Sequence, residues 1–329
     1  PTRRSSDLHA NITYLYEYYK LKKEILGIDE LHLYDIYVPI VGDYDKKYSY
    51  EEAKEIILKV LSVFGEEYIT KVKEALNSRW IDVYPTKNKR TGGYSGGSYD
   101  TYPYILLNYQ DKYNDMSTLI HEMGHSMHSY YSRKYNTYQD SQYRIFVAEV
   151  ASTVNELLLS NYMLEHSESK EETLFILNNL MELYKATIYR QTMFAEFEKK
   201  ISGMIDCDEA LTAYKLSSIY YDLNKFYFGN QVVVDDEIKY EWERIPHFYY
   251  DFYVYKYATG LSAATIIVKN IKEGKEGAIE NYIEFLKCGG RRSPIDSLRI
   301  AGVDLTDKNV IEGAFLEFKK VIDMYRDNM

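Results

Sequence analysis

Two histidines stand four positions apart in Thr118-Leu119-Ile120-His121-Glu122-Met123-Gly124-His125-Ser126-Met127-His128, with a glutamate directly after the first. On a helix, His121 and His125 project from one face and can share a zinc ion at about 2.0 to 2.1 Å. Glu122 lies beside that pair. It can reach a water polarised by the metal without ligating the metal itself, which is the geometry a general base needs.

A catalytic zinc requires a third protein ligand and one open position. Ser126-Met127-His128 departs from an HxxGxxH extension, so the metzincin pattern is excluded. Downstream, Phe146-Val147-Ala148-Glu149-Val150-Ala151-Ser152-Thr153-Val154-Asn155-Glu156 sets two carboxylates in a mostly apolar helix, where an unpaired buried charge is costly. Glu149 is the natural third ligand. Glu156 is two turns further along the same face with Ser152 between them, and either could hold a ligand by a hydrogen bond, although a solvated or salt-bridged Glu156 fits equally. His128 shares the face of His121 and His125, but a fourth protein ligand would close the site, so it reads as a core or cleft histidine.

A second cluster runs from Ile245-Pro246-His247 through Tyr250, Tyr253, Tyr255 and Tyr257 to Ala258-Thr259-Gly260. The spacing of Tyr250, Tyr253 and Tyr257 predicts one helical face with His247 at the helix start. Such a face presents several donors together and could stabilise an oxyanion, or it could be an aromatic packing stripe.

These side chains need elements to position them. The spacing predicts helices at His9 to Leu26, capped by Gly27, then at Tyr50 to Phe64 and Glu66 to Ser78. The Gly-punctuated stretch between Trp80 and Gln110 predicts a small antiparallel sheet. Helices are expected again at Asp115 to Tyr131, Ile145 to Glu165, Glu171 to Met204 and Asp208 to Phe228. After the break at Pro246, the pattern resumes at Tyr250 to Glu273, at 276 to 287, and at 307 to 326, with a helix start at Ser293-Pro294.

The composition is that of a mainly α-helical globular protein: 329 residues, 46% hydrophobic and 27% charged, with only 6 Pro and 17 Gly. The net charge of −10 gives a nucleic-acid or anionic-membrane partner no electrostatic support. Cys207 and Cys288 supply neither a disulfide framework nor a CxxC site, which fits a reducing cytoplasm. Neither GxGxxG nor GxxxxGK occurs, and no run of about 18 apolar residues suggests a membrane span.

The sequence resembles the oligoendopeptidase F branch of the thimet-type zinc metallopeptidases. The resemblance rests on Pro103-Tyr104-Ile105-Leu106-Leu107-Asn108, the His121 to His128 run, Phe146 to Thr153, and Pro246 to Tyr250 continuing through Tyr257 to Gly260. It covers nearly all of residues 9 to 326. It implies a multi-helical zincin-like catalytic domain with a small sheet beside the active-site helix, one Zn²⁺ held by His121, His125 and Glu149, and Glu122 as the base. His247, Tyr250 and Tyr257 would contact substrate and oxyanion, although tight spacing lets Tyr253 or Tyr255 substitute for a neighbour.

The resemblance further implies hydrolysis of internal bonds in short oligopeptides, with the Gly92 to Tyr99 strand bordering the cleft. An inert peptide-binding fragment and a zinc carboxypeptidase are the rival readings. Members of that family are roughly twice as long, so residues 9 to 329 read as the catalytic domain without an N-terminal half, and 1 to 8 as a non-native start.

Overall fold

The computed structural model describes residues 8–42 and 44–329. The chain divides into two compact units. The first holds the chain up to Gly42 together with Ser169–Thr259 and Ile311–Met329; the second holds Asp43–Glu168 and Gly260–Val310.

In the second unit, Ser49 and Glu52 form a reciprocal capping box at the start of the Tyr50–Leu61 helix. The Glu66–Asn77 helix follows, and the two bury Ile57, Leu61, Val72 and Ala75. The Tyr113–Tyr135 helix runs through the middle of this core, and nothing else in the unit packs as extensively as it does against the Ala148–Glu165 helix. Leu119, Ile120, Met123 and Met127 on one, with Val150, Val154 and Leu159 on the other, are almost wholly withdrawn from water. Burial of this kind stabilises by about 1.5 to 3 kcal/mol per large side chain, the dominant favourable contribution here.

Three short strands lie beside that core: β1 (Ile81–Asp82), β2 (Tyr94–Gly96) and β3 (Tyr104–Leu106), in the order β1-β3-β2. β2 pairs with β3 antiparallel, as the sequence suggested, with Ser95 opposite Ile105. β1 instead pairs with β3 in parallel, Ile81 opposite Ile105, so the sheet is mixed. The chain between β1 and β3 includes β2 and is long enough to return β3 in the same direction as β1.

The first unit is built around the Ile12–Leu26 helix, ended by Gly27 at φ 64°, a left-handed cap that costs glycine little. The expected helix from Glu171 to Met204 is found as a continuous run with a defect. Lys170–Tyr184 is α-helical, Lys185–Tyr189 is a π turn, and Arg190–Asp206 is α-helical again. Phe318 of the Lys308–Asp327 helix packs among Tyr18, Tyr184 and Tyr189.

The helix expected from Asp208 begins later, at Ala213, where the Thr212 hydroxyl accepts the Lys215 amide. The helix expected from Tyr250 begins only at Tyr255 and ends at Lys272. Of the segment 1 to 8 set apart above, 1 to 7 lie outside the described residues, and Leu8 is buried. Cys207 and Cys288 are both free thiols. Among the described residues no helix is long and apolar enough to cross a membrane.

Candidate metal centre

The Tyr113–Tyr135 helix turns His121 and His125 to one side, their rings 4.9 Å apart and nearly perpendicular. Glu149 approaches them from the first turn of the Ala148–Glu165 helix. Its Oε2 lies 3.7 Å from His121 Nε2 and 3.4 Å from His125 Nε2. One ligand atom from each of the three residues falls within 4.8 Å of the others.

Ligands of a tetrahedral zinc at about 2.0 to 2.1 Å stand roughly 3.3 Å apart, so this spacing fits an ion with little adjustment. The donor set, two imidazoles and a carboxylate, is one that suits zinc.

Two further side chains fix the orientation of the candidate ligands. Glu156 Oε2 sits 3.1 Å from His121 Nδ1, which leaves Nε2 of that ring facing Glu149. Ser152 Oγ donates to Glu149 Oε2 at 3.2 Å and to the Glu149 carbonyl at 3.0 Å. Glu156 and Ser152 thus each contact one of the three candidate ligands. Burial opposes charge on His121, but the carboxylates of Glu156, Glu122 and Glu149 outweigh it and push the ring up to about 9. The pocket attracts positive charge, as a cation site must.

Close backbone packing sets how the helix carrying His121 and His125 meets the helix carrying Glu149. A β-carbon on Gly124 would meet the Ala151 carbonyl oxygen at 2.6 Å and Ser152 Cα at 2.6 Å, so the two helices touch main chain to main chain. Asn155 Nδ2 donates to the Ile120 carbonyl at 3.0 Å across the same contact. Gly260 lies against Glu149 from another side, where a β-carbon would be 3.3 Å from Glu149 Cβ.

Glu122 is 6% exposed. Burial raises its pKa, while the neighbouring His121 and His125 and a backbone hydrogen bond from Ser95 act in the opposite sense. Its Oε2 has no hydrogen-bond partner among the described residues. A carboxylate with one oxygen steadied and the other available is suited to take up a proton. Ser95 belongs to β2, and its hydroxyl meets that of Ser126 at 2.8 Å, while Ser126 Oγ donates to the Pro103 carbonyl at 3.1 Å. The sheet is thereby tied to the helix that carries Glu122.

His128 takes the place of a core histidine. It is buried, and its ring stacks on Tyr143 at 3.7 Å and 4°. Sequence reasoning did not find the roles of Ser95 and Tyr143, which come from a strand and a loop with no recurrent spacing, or of Ser126, whose partners Ser95 and Pro103 are distant in sequence. Gly124 carried a usable signal, a glycine inside a helix between two ligands.

In the first unit, His247, Tyr250 and Tyr257 form a cluster with Tyr253, though not on one helical face. Pro246–Tyr249 is a 3-10 turn, and Asp251 and Phe252 then adopt φ of 39° and 52°. Two left-handed residues in succession break any helix between Tyr250 and Tyr255. The break nevertheless folds the rings together: His247 stacks on Tyr253 at 5.7 Å and lies 6.4 Å from Tyr250 and 6.3 Å from Tyr257. Lys256 Nζ lies 3.7 Å from the centre of the Tyr253 ring. Tyr250 is 62% exposed.

Comparison with known proteins gives one consistent result. The profile of peptidase family M3 matches residues 6–316. Oligopeptidase PepF of Bacillus subtilis (strain 168) is 50% identical over 317 residues, which cover 96% of this chain and 47% of that protein. Among solved structures, a putative peptidase from Chlamydophila abortus superposes with a TM-score of 0.91 at 40% identity, covering 100% of this chain and 56% of that one. Oligoendopeptidase F from Enterococcus faecium superposes with a TM-score of 0.76 at 33% identity, covering 100% and 53%. The chain spans about half the length of the relatives it matches.

Proposed function

Because the chain belongs to peptidase family M3, we propose that it is a zinc metallopeptidase hydrolysing internal bonds of short peptides. The observation that carries this reading is the convergence of His121, His125 and Glu149, with Glu122 beside them. Zinc held by those three residues would supply Lewis acidity, making a water nucleophilic near neutral pH.

Glu122 would accept the proton of the attacking water and return it to the departing amine nitrogen. Its buried position keeps its basicity above that of an exposed carboxylate. Glu156 holds the His121 ring through Nδ1, and Ser152 holds the Glu149 carboxylate, so neither ligand has to be ordered when an ion arrives. β2 is the outer strand of the sheet, and an extended peptide adding along Tyr94–Gly96 would gain main-chain hydrogen bonds.

We assign His247, Tyr250 and Tyr257 as donors to the substrate and its developing oxyanion, on the match of the Pro246 to Gly260 segment to the family's pattern. The two free cysteines suit a reducing compartment, which we take to be the cytoplasm. Oligopeptides as substrates follow from the resemblance to PepF, named as an oligopeptidase.

The test is Glu122→Gln in the purified chain, with zinc content and cleavage of a quenched-fluorescence peptide both measured. Zinc should be retained and turnover lost by at least about 100-fold. Mass spectrometry of the products should show internal fragments. Removal of single C-terminal residues would make the protein a carboxypeptidase, and a zinc-loaded parent chain without turnover would make it a peptide-binding fragment; either result overturns the reading.

A further inference from the structure

The tyrosine-bearing loop is held by the helix Arg190–Asp206 at two points, and the second is unusual. At the first, the Phe248 ring packs 5.3 Å from Phe194 and 5.0 Å from Phe197. At the second, Glu198 Oε1 accepts the Phe252 backbone N–H at 3.1 Å. Phe194, Phe197 and Glu198 are spaced i, i+3, i+4 and so share one face of the helix. Glu198 is 3% exposed, and its Oε2 has no hydrogen-bond partner among the described residues.

A carboxyl group in so dry a place has to earn a reason, and the backbone supplies one. With Asp251 and Phe252 both at positive φ, the Phe252 amide turns toward the helix, where burial would cost it a hydrogen bond without an acceptor. Burial pushes Glu198 up to about 7, with the Phe252 amide acting against the rise and Asp251 adding to it.

We propose that Glu198 is a positioning residue of the His247 to Tyr257 loop: its carboxyl oxygen holds the left-handed bend at Asp251-Phe252 and so sets where Tyr253 stands against His247 and Tyr250. The ring contacts of His247 with Tyr253 and Tyr257 span this bend, because His247 precedes it and both of those tyrosines follow it, whereas Tyr250 stands on the His247 side. Loss of the acceptor frees two strained residues to relax toward negative φ, which swings Tyr253 away from His247 and Tyr250. The importance of this for turnover rests on the assignment of His247 and the tyrosines made above.

The experiment compares Glu198→Gln, Glu198→Leu and Glu198→Asp in the full chain. Gln keeps an acceptor oxygen at the same reach, Leu removes it, and Asp withdraws it by one methylene while keeping a carboxylate. Two readouts are taken: the NMR signal of the His247 ring proton, shifted by the stacked Tyr253, and kcat and KM for a quenched-fluorescence peptide. Gln should leave both unchanged. Leu and Asp should move the His247 signal toward that of free histidine and lower kcat by about 10-fold or more, with KM changed less than about twofold.

Asp serves if Leu fails to fold. A folded Leu or Asp variant with the His247 signal in place overturns the proposal, whatever the turnover. A parent chain that binds zinc but cleaves no peptide would defeat the functional assignment, and the His247 signal would still decide the role of Glu198.

Discussion

Gly124 and Ser152 leave no space between them: a β-carbon on the first would lie 2.6 Å from Cα of the second. The contact joins the helix that carries His121 and His125 to the helix that carries Glu149, these three being the candidate metal ligands. The distance from Glu149 to the imidazoles is therefore set by main-chain packing as much as by the ligands themselves.

Gly124→Ala should force the two helices apart. Inserting even one methyl group into such a contact costs about 1 to 3 kcal/mol. Thermal unfolding should register that loss, and zinc affinity, measured by competition with a chelator, should fall with it by about 10-fold or more. Unchanged zinc affinity in a destabilised variant would separate packing from ligand geometry.

Glu156→Ala should weaken zinc binding through His121. With Nδ1 no longer partnered at 3.1 Å by the carboxylate, the ring loses its fixed tautomer and some basicity. The expected loss is about 10- to 100-fold in affinity, with stability little changed. Equal affinity of the variant and parent chains would show that Glu156 is only a neighbour.

His128 makes the fold sensitive to acid. Burial, together with the charge on His125, lowers it from 6.5 to about 3. Its folded pKa lies below its unfolded one, so the unfolded chain takes up the proton first, and stability drops as pH falls from 6.5 toward 3. His128→Phe, which can still stack on Tyr143, should flatten that limb by up to about 4 kcal/mol in denaturant titrations across this range. Parallel curves for the two chains would refute it.

The convergence of the candidate metal centre was legible in the sequence because its parts stand at helical spacing. His121 and His125 share a face by their four-residue interval, and Glu149 stood out as a carboxylate among Val and Ala residues. Glu122 follows from the same helix. The tyrosine cluster was legible as a set of residues but not as a shape. Its spacing fits a helix, and only the left-handed pair Asp251 and Phe252, held from outside by Glu198, prevents one from forming. No local pattern announces a bend that a distant side chain stabilises. The parallel pairing of β1 is hidden for a similar reason, since a two-residue strand takes its direction from its partner. The π turn at Lys185–Tyr189 leaves the apolar pattern nearly continuous and so reads as plain helix.

The most direct test of the account is a diffraction measurement at the zinc absorption edge on crystals of the metal-loaded chain. One anomalous peak is expected, about 2.0 to 2.1 Å from Nε2 of both His121 and His125 and about 2.0 to 2.2 Å from a Glu149 oxygen, with Glu122 uncoordinated. A zinc bound without Glu149, or with Glu122 among its ligands, would contradict it.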